Sequence, residues 1–231
     1  MTAAQLFARA DALLVDLDGT LVDSSAPVRR AWSAFAARHG LDGERVHRFA
    51  QGRPSRETVA LLAPDADQRA EAAWIEEIEV GDTGGVRALP GAKLLLSSGR
   101  PLAIVTSCST ALAEARLAAA GLPRPPMLVS SDGLKRGKPD PECFLIAAAL
   151  LAIDPARGVV LEDSPTGIAA GRAAGAKMIA LRTTHGDEEL GDADAIVDDL
   201  AALFTARGAA PAHASSGRGA TPGRSARTAT A

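Results

Sequence analysis

Short apolar runs alternate along this chain with longer stretches of helical periodicity, a pattern that restricts it to a parallel sheet covered by helices on both faces. The runs are ALLVDL at 12–17, LAIVTS at 102–107, PMLVS at 126–130, GVVLED at 158–163 and KMIAL at 177–181, with AIV at 195–197 as a candidate edge strand. Of the 231 residues, 47% are hydrophobic, which suffices for one sizeable core and a small satellite.

The interval between the first two runs is too long for a single crossover. Residues 24–90 hold the helical stretches VRRAWSAFAARHG, ERVHRFA, SRETVALLA and ADQRAEAAWIEEIEV. The expected fold is therefore α/β, a Rossmann-like parallel sheet core made of residues 1–23 and 86–205, with an inserted α-helical subdomain at 24–85. The Gly- and Pro-rich phrase GDTGGVRALPGA at 81–92 reads as a hinge, and Asp23 to Pro27 as the matching crossing. Past Phe204 the composition shifts to Ala, Gly, Ser, Pro, Thr and Arg without hydrophobic periodicity, so 206–231 reads as a disordered tail.

That tail carries four arginines and no Asp or Glu; removing those four charges from the formal net of −3 leaves −7 on the rest. An acidic body argues against nucleic acid as a partner. The opening MTAAQLFARADALLVDL places charges between its apolar runs, and nowhere do eighteen apolar residues run together. The expectation is a cytoplasmic, monomeric protein with no membrane association. Cys108 and Cys143 have neither zinc nor thioredoxin spacing and read as reduced structural thiols.

Candidate chemistry lies at the ends of the apolar runs. Asp16-Leu17-Asp18-Gly19-Thr20 follows the first strand, so two carboxylates two residues apart leave a strand end in related directions, and Gly19 permits a sharp turn. Thr106-Ser107 ends the second strand just before a helix starting near Ser109, where hydroxyl and backbone N–H donors suit a phosphate oxygen. Lys138 lies in GKPDPE, with Asp140 and Pro141 opening the next helix. Glu162-Asp163-Ser164 ends the fourth strand, and buried acids there call for a cation; Asp163 facing Asp16 would suit magnesium. Each feature alone has an ordinary structural reading as a turn, a cap or an exposed lysine. Their joint delivery to the carboxyl edge of one parallel sheet points to a ligand site.

In order, spacing and strand context these motifs resemble the haloacid dehalogenase superfamily, over about residues 11–204: DLDGT at 16, TS at 106, Lys138 in GKPDP and ED at 162. The resemblance implies that Asp16 is a nucleophile forming an aspartyl-phosphate, and that Asp18 moves the proton. It implies Mg2+ held by the Asp16 carboxylate, the Asp18 carbonyl and Asp163, with Lys138 and Thr106 on the phosphoryl oxygens. The phosphoryl group would be contacted by Asp16, Leu17, Asp18, Thr106, Ser107 and Lys138. Glu162 either reaches the metal through water or holds Lys138. The insertion resembles the family's helical cap, in which Gly52-Arg53 forms a loop between cap helices and Arg53 is the candidate substrate contact.

The cap phrase DSSAPVRRAWSAFAARHGL and the hinge phrase GVRALPGA are similar to the sugar-phosphate phosphatase group, which acts on hexitol, deoxyglucose and glycerol phosphates. Mannitol 1-phosphate, glucose 6-phosphate and fructose 1-phosphate are the leading candidates. A related β-phosphoglucomutase carries a histidine five residues past the Asp matched by Asp23, where this chain has Val28, and a valine where it has Thr20. Both differences favour hydrolysis, with a β-phosphoglucomutase-like isomerase as the alternative reading. Phosphonate hydrolysis needs a cap lysine, yet Lys93 is the only lysine ahead of GLKRGKP. A phosphosugar-binding or regulatory protein without turnover is the alternative of another class. Neither a C-x5-R loop nor a P-loop is present, and the glycines at 167, 171 and 175 read as close helix packing.

Overall fold

A computed structural model describes residues 1–50, 53 and 55–205. The expected tail at 206–231 and Gly52 of the proposed cap loop lie outside the described residues. Helix α1 (Ala3–Arg9) leads into β1 (Ala12–Val15). A short β2 (Val22–Asp23) precedes helices α2 (Ser25–His39), α3 (Gly43–Ala50), α4 (Ser55–Leu62) and α5 (Gln68–Gly81). The chain returns through β3 (Arg87–Ala88) and α6 (Ala92–Leu96) to β4 (Leu102–Val105), α7 (Thr110–Ala119) and β5 (Leu128–Val129). Helix α8 (Glu142–Leu150), β6 (Gly158–Glu162), α9 (Pro165–Ala173), β7 (Lys177–Leu181), α10 (Asp187–Leu190), β8 (Ala195–Val197) and α11 (Ala202–Thr205) follow.

Six strands form one parallel sheet in the order β5-β4-β1-β6-β7-β8. Its central strands are continuous apolar runs because both faces are covered. Leu13 and Val15 of β1, Val159 and Leu161 of β6, and Ile179 and Leu181 of β7 enter one core cluster. Leu14, Val160, Met178 and Ala180, the residues between, enter the other with Phe144 of α8 and Ile168 of α9. The alternation is the two-residue period of a strand read on two buried faces. AIV at 195–197 is an edge strand, as the sequence suggested. PMLVS shrinks to the two residues of β5 at the opposite edge, where one neighbour rather than two fixes the strand.

Helices α2 to α5 surround a separate core of Trp32, Phe35, Ala36, Val46, Val59 and Ile75. The chain enters and leaves this helical insertion side by side. Strands β2 and β3 pair antiparallel with Asp23 opposite Arg87, and Arg87 Nη2 lies 2.6 Å from Asp23 Oδ2.

Two of the three spaced glycines pack closely. A Cβ on Gly167 would lie 1.7 Å from Glu162 Oε1, and one on Gly171 2.4 Å from the Met178 sulfur. Gly175 instead follows the C-cap of α9 with φ of 85°, a left-handed terminator. Gly167→Ala is therefore expected to cost about 1–3 kcal/mol by overpacking, read as a shift in urea midpoint, and to disturb the carboxylate of Glu162.

Candidate active site

Segments leaving β1, β4, β5 and β6 converge above the carboxyl edge of the sheet. Lys138, on the connection between β5 and α8, is their centre. Its ammonium donates to Asp16 Oδ1 at 2.6 Å, to Glu162 Oε1 at 2.8 Å and to the Val105 carbonyl at 3.2 Å, which uses all three of its protons. Burial alone would drive this group toward neutrality; the Asp16 and Glu162 carboxylates outweigh burial and hold its pKa above the usual lysine range.

Glu162 is fully committed. Its Oε2 accepts from the backbone N–H groups of Asp163 and Ser164, both at 2.7 Å, and from Ser164 Oγ at 2.9 Å. These bonds and Lys138 outweigh burial, so its pKa is lowered. Of the two roles left open for Glu162, these contacts correspond to holding Lys138. Asp163 has the opposite balance: burial, Glu162 and Asp16 all push its pKa well above the ordinary value. Asp16 is likewise raised, to about 7, by burial against the opposing pull of Lys138.

One carboxylate oxygen from each of Asp16, Glu162 and Asp163 lies within 4.8 Å of the others. Lys138 Nζ is the only cationic partner these three acids have among the described residues. Thr184 Oγ1 donates to Asp163 Oδ2, while Asp16 Oδ2 and Asp163 Oδ1 accept no hydrogen bond from the described residues. Hard oxygen donors carrying surplus negative charge, with two oxygens uncommitted, fit a small divalent cation. Gly19 is required beside them: its φ is 82°, and a Cβ there would lie 2.0 Å from Asp163 Oδ2.

The Asp18 side chain stands outside this acidic cluster. Its Oδ1 accepts from Ser24 Oγ at 2.6 Å, and its Oδ2 from Arg116 Nη1 at 2.7 Å and Cys108 Sγ at 3.0 Å. Arg116 Nη2 also lies 3.4 Å from Glu79 Oε1 of α5 in the helical insertion. Thr106 is buried, and its Oγ1 accepts from the Cys108 N–H at 3.1 Å.

A cavity of about 900 Å³ lies between sheet edge and insertion. Asp16, Asp18, Thr106, Ser107, Lys138 and Asp163 line it from below, and Arg53 lines it from the insertion, with its guanidinium 4.5 Å from the centre of the Phe49 ring. Leu17 alone among the expected site residues does not line it. Its side chain alternates away into the sheet core, and its carbonyl accepts from the Leu21 and Val22 N–H groups. The reading of the cysteines as structural thiols is also corrected: Cys108 and Cys143 both line the cavity, Cys108 Sγ donates to Asp18, and Cys143 belongs at the same time to the buried core. Both thiols are free, and burial pushes both upward in pKa.

Sequence reasoning missed Arg116, Glu79, Ser24 and Thr184. Two of these carried a legible signal. Arg116 shares the buried stripe of α7 with Leu112, Ala113 and Leu117, and Glu79 shares that of α5 with Ile75. A charge on the apolar stripe of a helix implies a buried partner.

Burial raises Glu79 from an ordinary 4.5 to about 7, against the lowering effect of Arg116. An acid with a raised folded pKa takes up a proton on folding, so its contribution to stability is lost as pH rises from the unfolded value to the folded one. Urea unfolding of the parent at about pH 5 and about pH 8 should show a decline that is smaller in Glu79→Gln by about 1–3 kcal/mol. Equal declines in both proteins would contradict the assignment.

A parallel α/β sheet that brings buried acids and a lysine to its carboxyl edge, beneath a helical insertion, defines an enzyme of the hydrolase type. The chain belongs to the haloacid dehalogenase-like hydrolase family, whose description matches residues 10–175. It is 43% identical to hexitol phosphatase A of Escherichia coli over 199 residues, 83% of this chain and 92% of that one. It is 36% identical to validoxylamine A 7'-phosphate phosphatase of Streptomyces hygroscopicus over 81% of this chain and 92% of that one. Among solved structures, CbbY from Rhodobacter sphaeroides in complex with phosphate superposes with a TM-score of 0.74 at 27% identity, covering 84% of this chain and 96% of that one.

Proposed function

We propose that this phosphatase hydrolyses small phosphorylated sugars or sugar alcohols, hexitol and hexose phosphates such as mannitol 1-phosphate, with Mg2+ as cofactor. The observation that carries the proposal is the buried set of Lys138, Asp16, Glu162 and Asp163 at the floor of a cavity whose size suits a six-carbon phosphate ester. The similarity to hexitol phosphatase A supports the polyol end of that range. In this reading residues 24–85 are a cap on a core of 1–23 and 86–205, and Arg53 contacts the sugar from the cap. No helix among the described residues is long and apolar enough to cross a membrane.

One oxygen of the Asp16 carboxylate attacks phosphorus. The ester P–O bond breaks, and the leaving alkoxide takes a proton from Asp18. Water then attacks the aspartyl-phosphate and gives a proton to Asp18, the Asp16–phosphorus bond breaks, and phosphate leaves. Lys138 offsets charge on the phosphoryl oxygens, and Thr106 and Ser107 orient them. Asp16, Asp163 and the Asp18 carbonyl would hold Mg2+, which when bound lessens the repulsion between an anionic nucleophile and an anionic ester. Val28 lines the cavity on the side of α2, and its hydrocarbon cannot serve as the base that a mutase needs there.

Phosphate release from a panel of hexitol, hexose, pentose and glycerol phosphates, with and without Mg2+, tests the proposal. Hexitol or hexose esters are expected to lead, and chelation to stop the reaction. Release that ignores chelation, or a panel with no substrate, would refute it.

A further inference from the structure

We propose that Arg116 is a positioning residue: paired with Glu79 of the insertion, it fixes the carboxylate of Asp18 where that group serves the leaving oxygen. The inference rests on Asp18 being the proton donor proposed above.

The Arg116–Glu79 pair is buried, while the Asp18 side chain keeps 26% of its surface exposed where it lines the cavity. The Arg116 side chain is 4% exposed and that of Glu79 5%. Arg116 Nη1 donates to Asp18 Oδ2 at 2.7 Å and reaches Cys108 Sγ at 2.7 Å, while Nη2 lies 3.4 Å from Glu79 Oε1. A buried guanidinium is tolerated only with its charge balanced, and here the balance comes from two acids on different parts of the fold. Asp18 belongs to the loop after β1, Arg116 to α7 beside the sheet, and Glu79 to α5, which packs on α7. The planar fork of arginine presents two nitrogens in fixed directions, one to each acid, a geometry that a single lysine ammonium does not have.

A second thread from the insertion reaches the same carboxylate. Ser24 occupies the N-cap position of α2 yet makes no capping bond with its side chain. Its hydroxyl donates to Asp18 Oδ1 instead. Both Asp18 oxygens are thus held by partners that belong to the insertion or are tied to it. The docking of α5 on α7 then decides where Asp18 points, and Arg116 acts on the reaction without touching the substrate.

The test separates proton delivery from folding. Alcohol release in the first turnover is measured by rapid quench for mannitol 1-phosphate, whose leaving group needs a proton, and for p-nitrophenyl phosphate, whose leaving group does not. Arg116→Ala is expected to slow release from the polyol ester by about 30-fold or more, and from the nitrophenyl ester by less than about 3-fold. Glu79→Gln should reproduce the asymmetry more weakly, and added to Arg116→Ala it should slow release by less than about 2-fold further. Should Arg116→Ala fail to fold, Arg116→Lys, which keeps the charge but loses the fork, carries the same comparison. Equal slowing of both esters, or full additivity of the two substitutions, would overturn the positioning role while leaving the phosphatase reading intact. A parent protein that releases alcohol from neither ester would remove that reading itself.

Discussion

Asp16→Asn is expected to lower phosphate release by at least about 10⁴-fold while leaving the protein as stable as its parent or more so. The two halves of this expectation have separate causes. An amide oxygen at Oδ1 still accepts from Lys138, so the 2.6 Å contact survives the exchange. The ionised carboxylate is costly in this buried place, as its pKa near 7 records, and the amide carries no charge. What the amide lacks is the carboxylate that the proposed mechanism uses as nucleophile. Phosphate release and thermal unfolding on one preparation check both parts. Activity within tenfold of the parent would place the nucleophile elsewhere, and a large fall in unfolding temperature would mean that the charge of Asp16 is structurally required.

Lys138→Met is expected to damage both properties. Removal of the ammonium leaves the buried carboxylates of Asp16 and Glu162 facing each other without a counter-charge, and breaking a buried pair in this way costs about 3–5 kcal/mol. The penalty should shrink as pH falls, because the orphaned carboxylates are then neutralised by protons. Turnover should fall by about 10³-fold through loss of the charge facing the phosphoryl oxygens. Urea unfolding at about pH 8 and about pH 5 measures the first effect. A cost below about 1 kcal/mol at the higher pH would show that the acids find another counter-charge.

How much of this was legible in the sequence follows from how far apart the cooperating residues lie. Asp16, Thr106, Lys138 and Asp163 were readable because each follows an apolar run, and a parallel sheet brings the ends of such runs to one edge whatever the loops between them do. The pairing of Arg116 with Asp18 spans 98 positions and depends on how α5 docks on α7, which no local pattern encodes. The charge on each buried stripe was visible, but the partner was not. Cys108 shows a different difficulty. A half-buried cysteine reads as packing, and only the turn after Thr106 aims its sulfur at Asp18. Leu17 shows a third: inside a motif whose neighbours Asp16 and Asp18 line the cavity, the two-residue period of extended chain sends its side chain into the core.

The pairing of β2 with β3 means that the whole stretch between Asp23 and Arg87 hangs from two adjacent points. In engineering terms it is a cassette. Its ends already meet, so a segment of different length can be spliced in without stretching the framework, and loop-closure entropy grows only slowly with what is inserted. Asp16, Asp18, Thr106, Lys138 and Asp163, which line the cavity from below, stay on the retained side of the splice. The exception is the hold on Asp18 by Ser24 directly and by Glu79 through Arg116, which any replacement would have to rebuild.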